Sequence, residues 1–278
     1  MKIPNLRLNN GSKIPSIGFG TYLLRGDDAL KAIITAAKNG YRLFDSAMNY
    51  DNEAVLGEAI RASGIPRKDF FLTSKLPGRF HTYSLALDAI EESLLRTRVD
   101  YFDGYLIHWP NPKEDKYVEA WQALIEAKKR GKIKTIGVCN FLPEHIERLI
   151  QETGVAPAIN QIELHPFFTQ KETLAYHKSK GIITQAWSPF ARAKGLSDNE
   201  VLKNLALKYN KSIAQVVLRW HIQNGVLPIP KSKTPSRQIE NLAIFDFALS
   251  AEDVLLIDTL NNPEGRIQNQ DPAIYEEF

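Results

Sequence analysis

From Ile17 to Leu260, short apolar runs alternate eight times with amphipathic stretches of helix length, and this rhythm restricts the possible folds more than anything else in the chain. The runs are Ile17–Gly20, Leu43–Asp45, Phe70–Lys75, Gly104–His108, Thr135–Val138, Ala158–Glu163, Ile182–Trp187 and Gly225–Ile229. Strands this apolar suit a parallel sheet covered on both faces. Between them the spacing predicts helices over Asp27–Asn39, Asn52–Ser63, Thr82–Thr97, Tyr117–Arg130 and Lys171–Lys180. Gly40, Gly131 and Gly181 follow three of these as stop signals. Pro143 marks a first helical turn after the fifth run. Two helical patterns, Asn199–Tyr209 and Ser212–Gln223, follow the seventh run; Pro235–Ala243 and Ser250–Leu260 follow the eighth. Ahead of the first run, Leu6–Ile14 alternates apolar and polar residues around Asn10-Gly11, a hairpin signature.

The expected fold is α/β, a (β/α)8 TIM barrel with an N-terminal β-hairpin as its bottom cap and extra helices after strands seven and eight. No break in composition divides the chain, so residues 1–278 read as a single domain. A doubly wound open sheet is the competing architecture, but Gly18-Phe19-Gly20-Thr21-Tyr22-Leu23 lacks the third glycine that fold uses after its first strand. The tail from Asn261, with Pro263 and Pro272, reads as irregular.

A formal net charge of +3 gives no footprint for nucleic acid. The single cysteine, Cys139, excludes an intrachain disulfide and a cysteine metal cluster, and no metal is expected. No stretch approaches the ~20 apolar residues of a membrane span. The polar start Met1-Lys2-Ile3-Pro4-Asn5 has no apolar leader core. A soluble, cytoplasmic protein is expected.

Polar residues stand where apolar runs end. Asp45 closes the second run and Tyr50 follows it; Lys75 closes the third and His108 the fourth. Singly, each has an ordinary explanation: a turn aspartate, a solvated lysine, a structural histidine. Jointly, in a parallel barrel, a carboxylate, a phenol, an amine and an imidazole at successive strand ends face one cavity, where such enzymes place their catalysts.

Asp45-Ser46-Ala47-Met48-Asn49-Tyr50-Asp51-Asn52-Glu53 resembles the D-x-A-x-x-Y-x-N-E signature of the aldo-keto reductases. Leu106–Pro110 resembles their L-I-H-W-P, Gly137–Phe141 their G-V-S-N-F, and Ile229–Ser232 with Arg237, Glu240 and Asn241 their cofactor segment. The short loops and tail resemble the bacterial branch related to 2,5-diketogluconate reductases. The resemblance implies reduction of aldehydes or ketones by hydride transfer from NADPH, with Tyr50 as general acid. A Lys75 ammonium would lower the Tyr50 pKa, Asp45 would pair with Lys75, and a neutral His108 would donate a hydrogen bond to the carbonyl oxygen. It further implies cofactor contacts from Gly20, Thr21, Tyr22, Asp45, Cys139, Asn140 and Gln185, with Trp187 stacked on the nicotinamide. Ser188 and Leu196 would meet the pyrophosphate. Lys231, Ser232 and Arg237 would clamp a 2′-phosphate, and Glu240 and Asn241 would meet adenine. Tyr22, Met48, Asn49, Leu76 and Trp109 would line the substrate pocket around Tyr50 and His108. Cys139 departs from the family's serine, and a thiol bonds hydrogen more weakly. A monomer acting on a small carbonyl compound is the family expectation.

Two other classes compete. A Schiff-base lyase would use Lys75 as its nucleophile. A non-catalytic module would bind NADPH as a redox sensor.

Overall fold

In the computed structural model, which describes residues 3–278, the alternation becomes a barrel; Met1 and Lys2, at the polar start noted above, lie outside the described residues. Strands β1 (Asn5–Arg7) and β2 (Lys13–Pro15) pair antiparallel, with Leu6 opposite Ile14. Then come β3 (Phe19–Gly20), α1 (Gly26–Asn39), β4 (Leu43–Asp45), α2 (Glu53–Ala62), β5 (Phe71–Leu76), α3 (Tyr83–Thr97), β6 (Phe102–Ile107) and α4 (Tyr117–Lys129). The series continues with β7 (Ile133–Cys139), α5 (Pro143–Thr153), β8 (Ile159–Glu163), α6 (Lys171–Ser179) and β9 (Ile183–Trp187). Two helices, α7 (Glu200–Tyr209) and α8 (Ile213–Gln223), precede β10 (Leu227–Pro228); α9 (Pro235–Leu242) and α10 (Ala251–Asp258) follow it.

Eight strands, β3 to β10, lie parallel in chain order. The two ends of the sheet meet, because the Gly18 and Gly20 amides donate to the Pro228 and Pro230 carbonyls at 3.0 and 3.1 Å. Both outer strands are short. The proline carbonyls accept while their missing N–H groups leave no donor unpaired, so closure costs no buried hydrogen bond.

The two-residue pleat sorts the side chains. Leu43, Phe71, Leu106, Cys139, Ile159, Leu227 and Ile229 fill the interior, sealed below by Leu8 and Ile14 of the hairpin. Their neighbours Phe44, Leu72, Tyr105, Ile107 and Val138 pack outward against the helices. Helix ends follow local chemistry. Gly40 takes φ +115° and closes α1 on the Ala36 and Ala37 carbonyls, and Ser212 and Gln215 form a reciprocal cap at the start of α8. Among the described residues no helix is long and apolar enough to cross a membrane.

Three buried histidines couple the fold to pH. Burial lowers His81, His177 and His221 from 6.5 to about 4. His177 is satisfied as a neutral ring between Asn160 Nδ2 at 2.9 Å and Thr184 Oγ1 at 2.8 Å. A depressed folded-state value makes the stabilisation complete above the unfolded value near 6.5, and it is lost as pH falls from there toward 4. Each ring contributes up to about 3 kcal/mol over that window. The thermal midpoint should therefore fall steadily between neutral pH and about pH 5; a midpoint flat over that range would contradict it.

Candidate active site

The strand register carries the polar residues from the interior cluster to the mouth of the barrel. Asp45 lies two residues beyond Leu43, Lys75 four beyond Phe71, and His108 two beyond Leu106, so all three keep the inward phase. β6 ends at Ile107, yet the His108 amide still donates to the Leu76 carbonyl at 2.9 Å, which extends the ladder to the histidine. Tyr50 ends a single 3-10 turn, Met48–Tyr50, which swings its ring over the strand ends.

Lys75 is fully buried. Its Nζ donates to Asp45 Oδ2 at 2.6 Å and to the Ser46 carbonyl at 2.7 Å, and lies 3.4 Å from the Tyr50 hydroxyl. The ammonium also stands 4.9 Å from the centre of the Tyr50 ring. Gln161 Nε2 donates to the other Asp45 oxygen at 2.8 Å and to Gln185 Oε1 at 3.0 Å. Both carboxylate oxygens are thus engaged, and the buried ion pair has the hydrogen bonds it needs. Tyr50 meets the His108 ring edge-on at 5.8 Å and the Tyr22 ring at 5.0 Å.

Burial favours the neutral amine of Lys75, but Asp45 and the other groups around it outweigh that and hold the ammonium above the ordinary lysine range. For Tyr50 the balance differs from the sequence expectation. Burial is the largest influence and raises the phenol above an ordinary tyrosine; Lys75 pulls downward without overcoming it. The Tyr50 proton is held through neutral pH. Burial likewise raises the Cys139 thiol well above its usual range.

A cavity of about 1230 Å³ opens over this cluster and runs along the mouth of the barrel to α9. Of the residues singled out from sequence, Gly20, Tyr22, Asp45, Asn49, Tyr50, His108, Trp109, Asn140 and Trp187 line it near the cluster. Ser188, Leu196, Lys231, Ser232, Arg237, Glu240 and Asn241 line its far arm. Asn140, at φ +61°, spans the floor: its Nδ2 donates to the His108 carbonyl at 3.1 Å, and its Oδ1 accepts from Trp187 Nε1 at 2.8 Å.

Several expected positions lie elsewhere. Leu76 is one residue past Lys75 on a strand still paired with Ile107, so the pleat turns it outward into the helix-facing core. Met48 is buried in the same layer. Thr21 is buried, its Oγ1 donating to the Asp45 carbonyl at 2.9 Å, and it fixes a strand end without lining the cavity. Cys139 and Gln185 point inward but sit fully buried beneath the cavity floor.

The sequence reading passed over Gln161 and the C-terminal tail. Gln161 was findable, being a polar residue in inward phase two positions beyond Ile159. The tail is irregular apart from one turn at Ile267–Asn269, but it folds back over the cavity. The Ile267 amide donates to the buried Glu163 carboxylate at 2.6 Å, and Tyr275 packs on Trp109 at 4.5 Å. Glu277 reaches the cluster, with Oε1 2.8 Å from His108 Nδ1 and accepting from Asn49 Nδ2 at 3.0 Å. The His108 contact has the distance of an ion pair without the alignment of a full hydrogen bond.

Comparison with known proteins agrees with this geometry. The family model described as "Aldo/keto reductase family" matches residues 16–262. The chain is 46% identical over 276 residues to the 2,5-diketo-D-gluconic acid reductase B of Corynebacterium sp. (strain SHS752001), covering 99% of each. It is 45% identical over 271 residues to the glyoxal reductase of Bacillus subtilis (strain 168), covering 97% of each. Among solved structures, the NADPH complex of a Gox0644 mutant superposes with a TM-score of 0.94 at 39% identity, covering 99% of this chain and 100% of that one. With the barrel, the strand-end cluster and similarity along nearly the whole length in agreement, the chain belongs to the aldo/keto reductase family.

Proposed function

We propose that this protein is an NADPH-dependent carbonyl reductase, an oxidoreductase acting on CH–OH groups, working as a cytoplasmic monomer of one domain. The observation that carries the reading is the Tyr50 hydroxyl 3.4 Å from a buried ammonium, at the floor of a cavity of about 1230 Å³ whose lining continues to Arg237 and Asn241 of α9. The NADPH complex of the structural relative supports the choice of cofactor for this chain.

The residues present fit that cofactor. Gln185 Nε2 lies just beneath the cavity floor with no hydrogen-bond acceptor in the protein, a donor that a carboxamide settling onto that floor would satisfy. Asn140 and Trp187 flank it at the floor, with the Trp187 face available for a flat ring. At the far arm, Lys231 and Arg237 are exposed and make no ion pair among the described residues, and α9 begins at Pro235 between them. Two cations at a helix start suit a phosphate monoester. When bound, the reduced nicotinamide supplies the hydride.

The chain's own residues manage the oxygen. Tyr50 holds its proton at neutral pH and gives it to the oxygen as negative charge develops there. Lys75 stabilises the phenolate left behind, and Asp45 with Gln161 keeps Lys75 charged and in place. His108 presents Nε2 to the same oxygen while Nδ1 faces Glu277. The Schiff-base reading fails on the same geometry. Lys75 is fully buried, bonded to Asp45 and Ser46, and held as an ammonium, so it offers no free amine.

A panel of aldehydes and ketones assayed with NADPH and with NADH tests the reading, and NADPH should be preferred. Arg237→Ala should lower kcat/KM for NADPH by about 10- to 100-fold, the usual worth of a charged hydrogen bond, and change that for NADH less than about threefold. Equal losses with both cofactors would place Arg237 outside a phosphate clamp.

A further inference from the structure

The cluster at the reacting end has no uncompensated cation. Lys75 is paired with Asp45, and His108 faces the Glu277 carboxylate. Glu277 also takes the Asn49 amide, a further donor at this end of the cavity, and Arg79 Nη1 on Asn49 Oδ1 at 2.5 Å fixes that amide with its Nδ2 toward Glu277. The tail is held there by its backbone. Asn111 Nδ2 donates to the Glu277 carbonyl at 2.7 Å and Asn111 Oδ1 accepts from the Glu277 amide at 3.1 Å. The Lys113 amide binds Glu276 at 2.7 Å. Gly78 makes the seat possible, since a Cβ there would lie 2.1 Å from the Glu277 carbonyl oxygen. The second carboxylate oxygen, Oε2, is buried and accepts no hydrogen bond from the protein, so its charge is only partly answered.

Building on the reductase reading, we propose that Glu277 is a specificity-determining residue that selects neutral carbonyl substrates over carboxylate-bearing ones. Its carboxylate takes the Asn49 amide, a donor a substrate carboxylate could use, and it places a like charge beside any such group. Burial would raise its pKa, but His108 and Asn49 outweigh that and hold it below the usual carboxylate range, so the charge is present at neutral pH. The cations farther out, Arg79 and Arg192, are exposed and already bonded to Asn49 and Gln268. Overall similarity does not make this choice: relatives at 46% and 45% identity are named for an acid and for neutral glyoxal.

The test compares kcat/KM for 4-nitrobenzaldehyde and 4-carboxybenzaldehyde in the wild type, Glu277→Gln and Glu277→Asp. The wild type should favour the neutral aldehyde by about tenfold or more, as two like charges within a few ångströms require. Glu277→Gln should shrink that ratio at least severalfold, and Glu277→Asp should keep most of it. Calorimetry with benzoate gives a reading independent of turnover, with tighter binding expected in Glu277→Gln than in the wild type. An unchanged aldehyde ratio, or equal benzoate affinity in the two proteins, overturns the proposal. If neither aldehyde consumes NADPH, the reductase reading falls, and the benzoate comparison still decides the role of Glu277.

Discussion

Tyr50→Phe is expected to lower turnover by about 10²- to 10⁴-fold, the range for removal of a general acid, with NADPH affinity unchanged. The substitution removes one oxygen, whose protein partner is Lys75 Nζ at 3.4 Å, and leaves the ring between Tyr22 and His108. Stability should therefore shift by no more than about 1 kcal/mol. Because burial keeps Tyr50 above the ordinary tyrosine range, wild-type reduction should show no loss attributable to this group as pH rises through neutrality. Cofactor fluorescence titration and steady-state kinetics on the same preparation separate binding from chemistry. Near-wild-type turnover in the phenylalanine variant would remove Tyr50 from the proton-transfer step.

Lys75→Met should be comparably damaging to turnover and, unlike Tyr50→Phe, damaging to the fold. Without the ammonium the phenolate has no adjacent positive charge, and burial acts on Tyr50 unopposed. Asp45 is then a buried carboxylate with Gln161 as its one remaining side-chain partner, and breaking a buried pair from one side costs about 3–5 kcal/mol. Chemical denaturation should show that loss. The double variant Asp45→Asn with Lys75→Met should recover part of the stability and none of the activity, since a neutral amide removes the stranded charge without restoring the cation. A pH–rate profile identical to wild type in Lys75→Met would contradict the role of Lys75, and full stability would contradict the ion-pair account.

The features legible in the sequence were those governed by short periods. Asp45, Lys75 and His108 could be placed because two-residue alternation from Leu43, Phe71 and Leu106 carries them inward at the end of each run. The same rule, applied one residue further, turns Leu76 away from the cavity, and applied to Ile159 it brings in Gln161. Cys139 and Gln185 follow the inward phase too. Their depth below the floor depends on how strands stagger around the barrel, which periodicity does not encode. The Tyr50 proton affinity is a related case: the cation that pulls it down, Lys75, is visible in sequence, whereas the burial that outweighs that pull belongs to the assembled fold.

The tail was the largest gap. Asn261–Phe278 is polar and broken by prolines, the pattern of a solvated end. Its position is set by single long-range bonds, from Ile267 to Glu163 and from Glu277 to Asn111, His108 and Asn49, and none of these has a local signature. The apolar side chains that do pack there are Ile267, which is buried, and Tyr275 on Trp109; Phe278 stays exposed.

Isotope tracing tests most directly the claim that Tyr50, Lys75, Asp45 and His108 converge on one carbonyl oxygen beside a dinucleotide. With NADPH deuterated at its transferable C4 position and an aromatic aldehyde in ordinary water, the alcohol formed should carry one deuterium per turnover on its carbinol carbon. The transfer should be all but lost in Tyr50→Phe while that variant still binds the cofactor. An alcohol whose carbinol hydrogen comes from water, or undiminished deuterium transfer without the Tyr50 hydroxyl, would contradict the account.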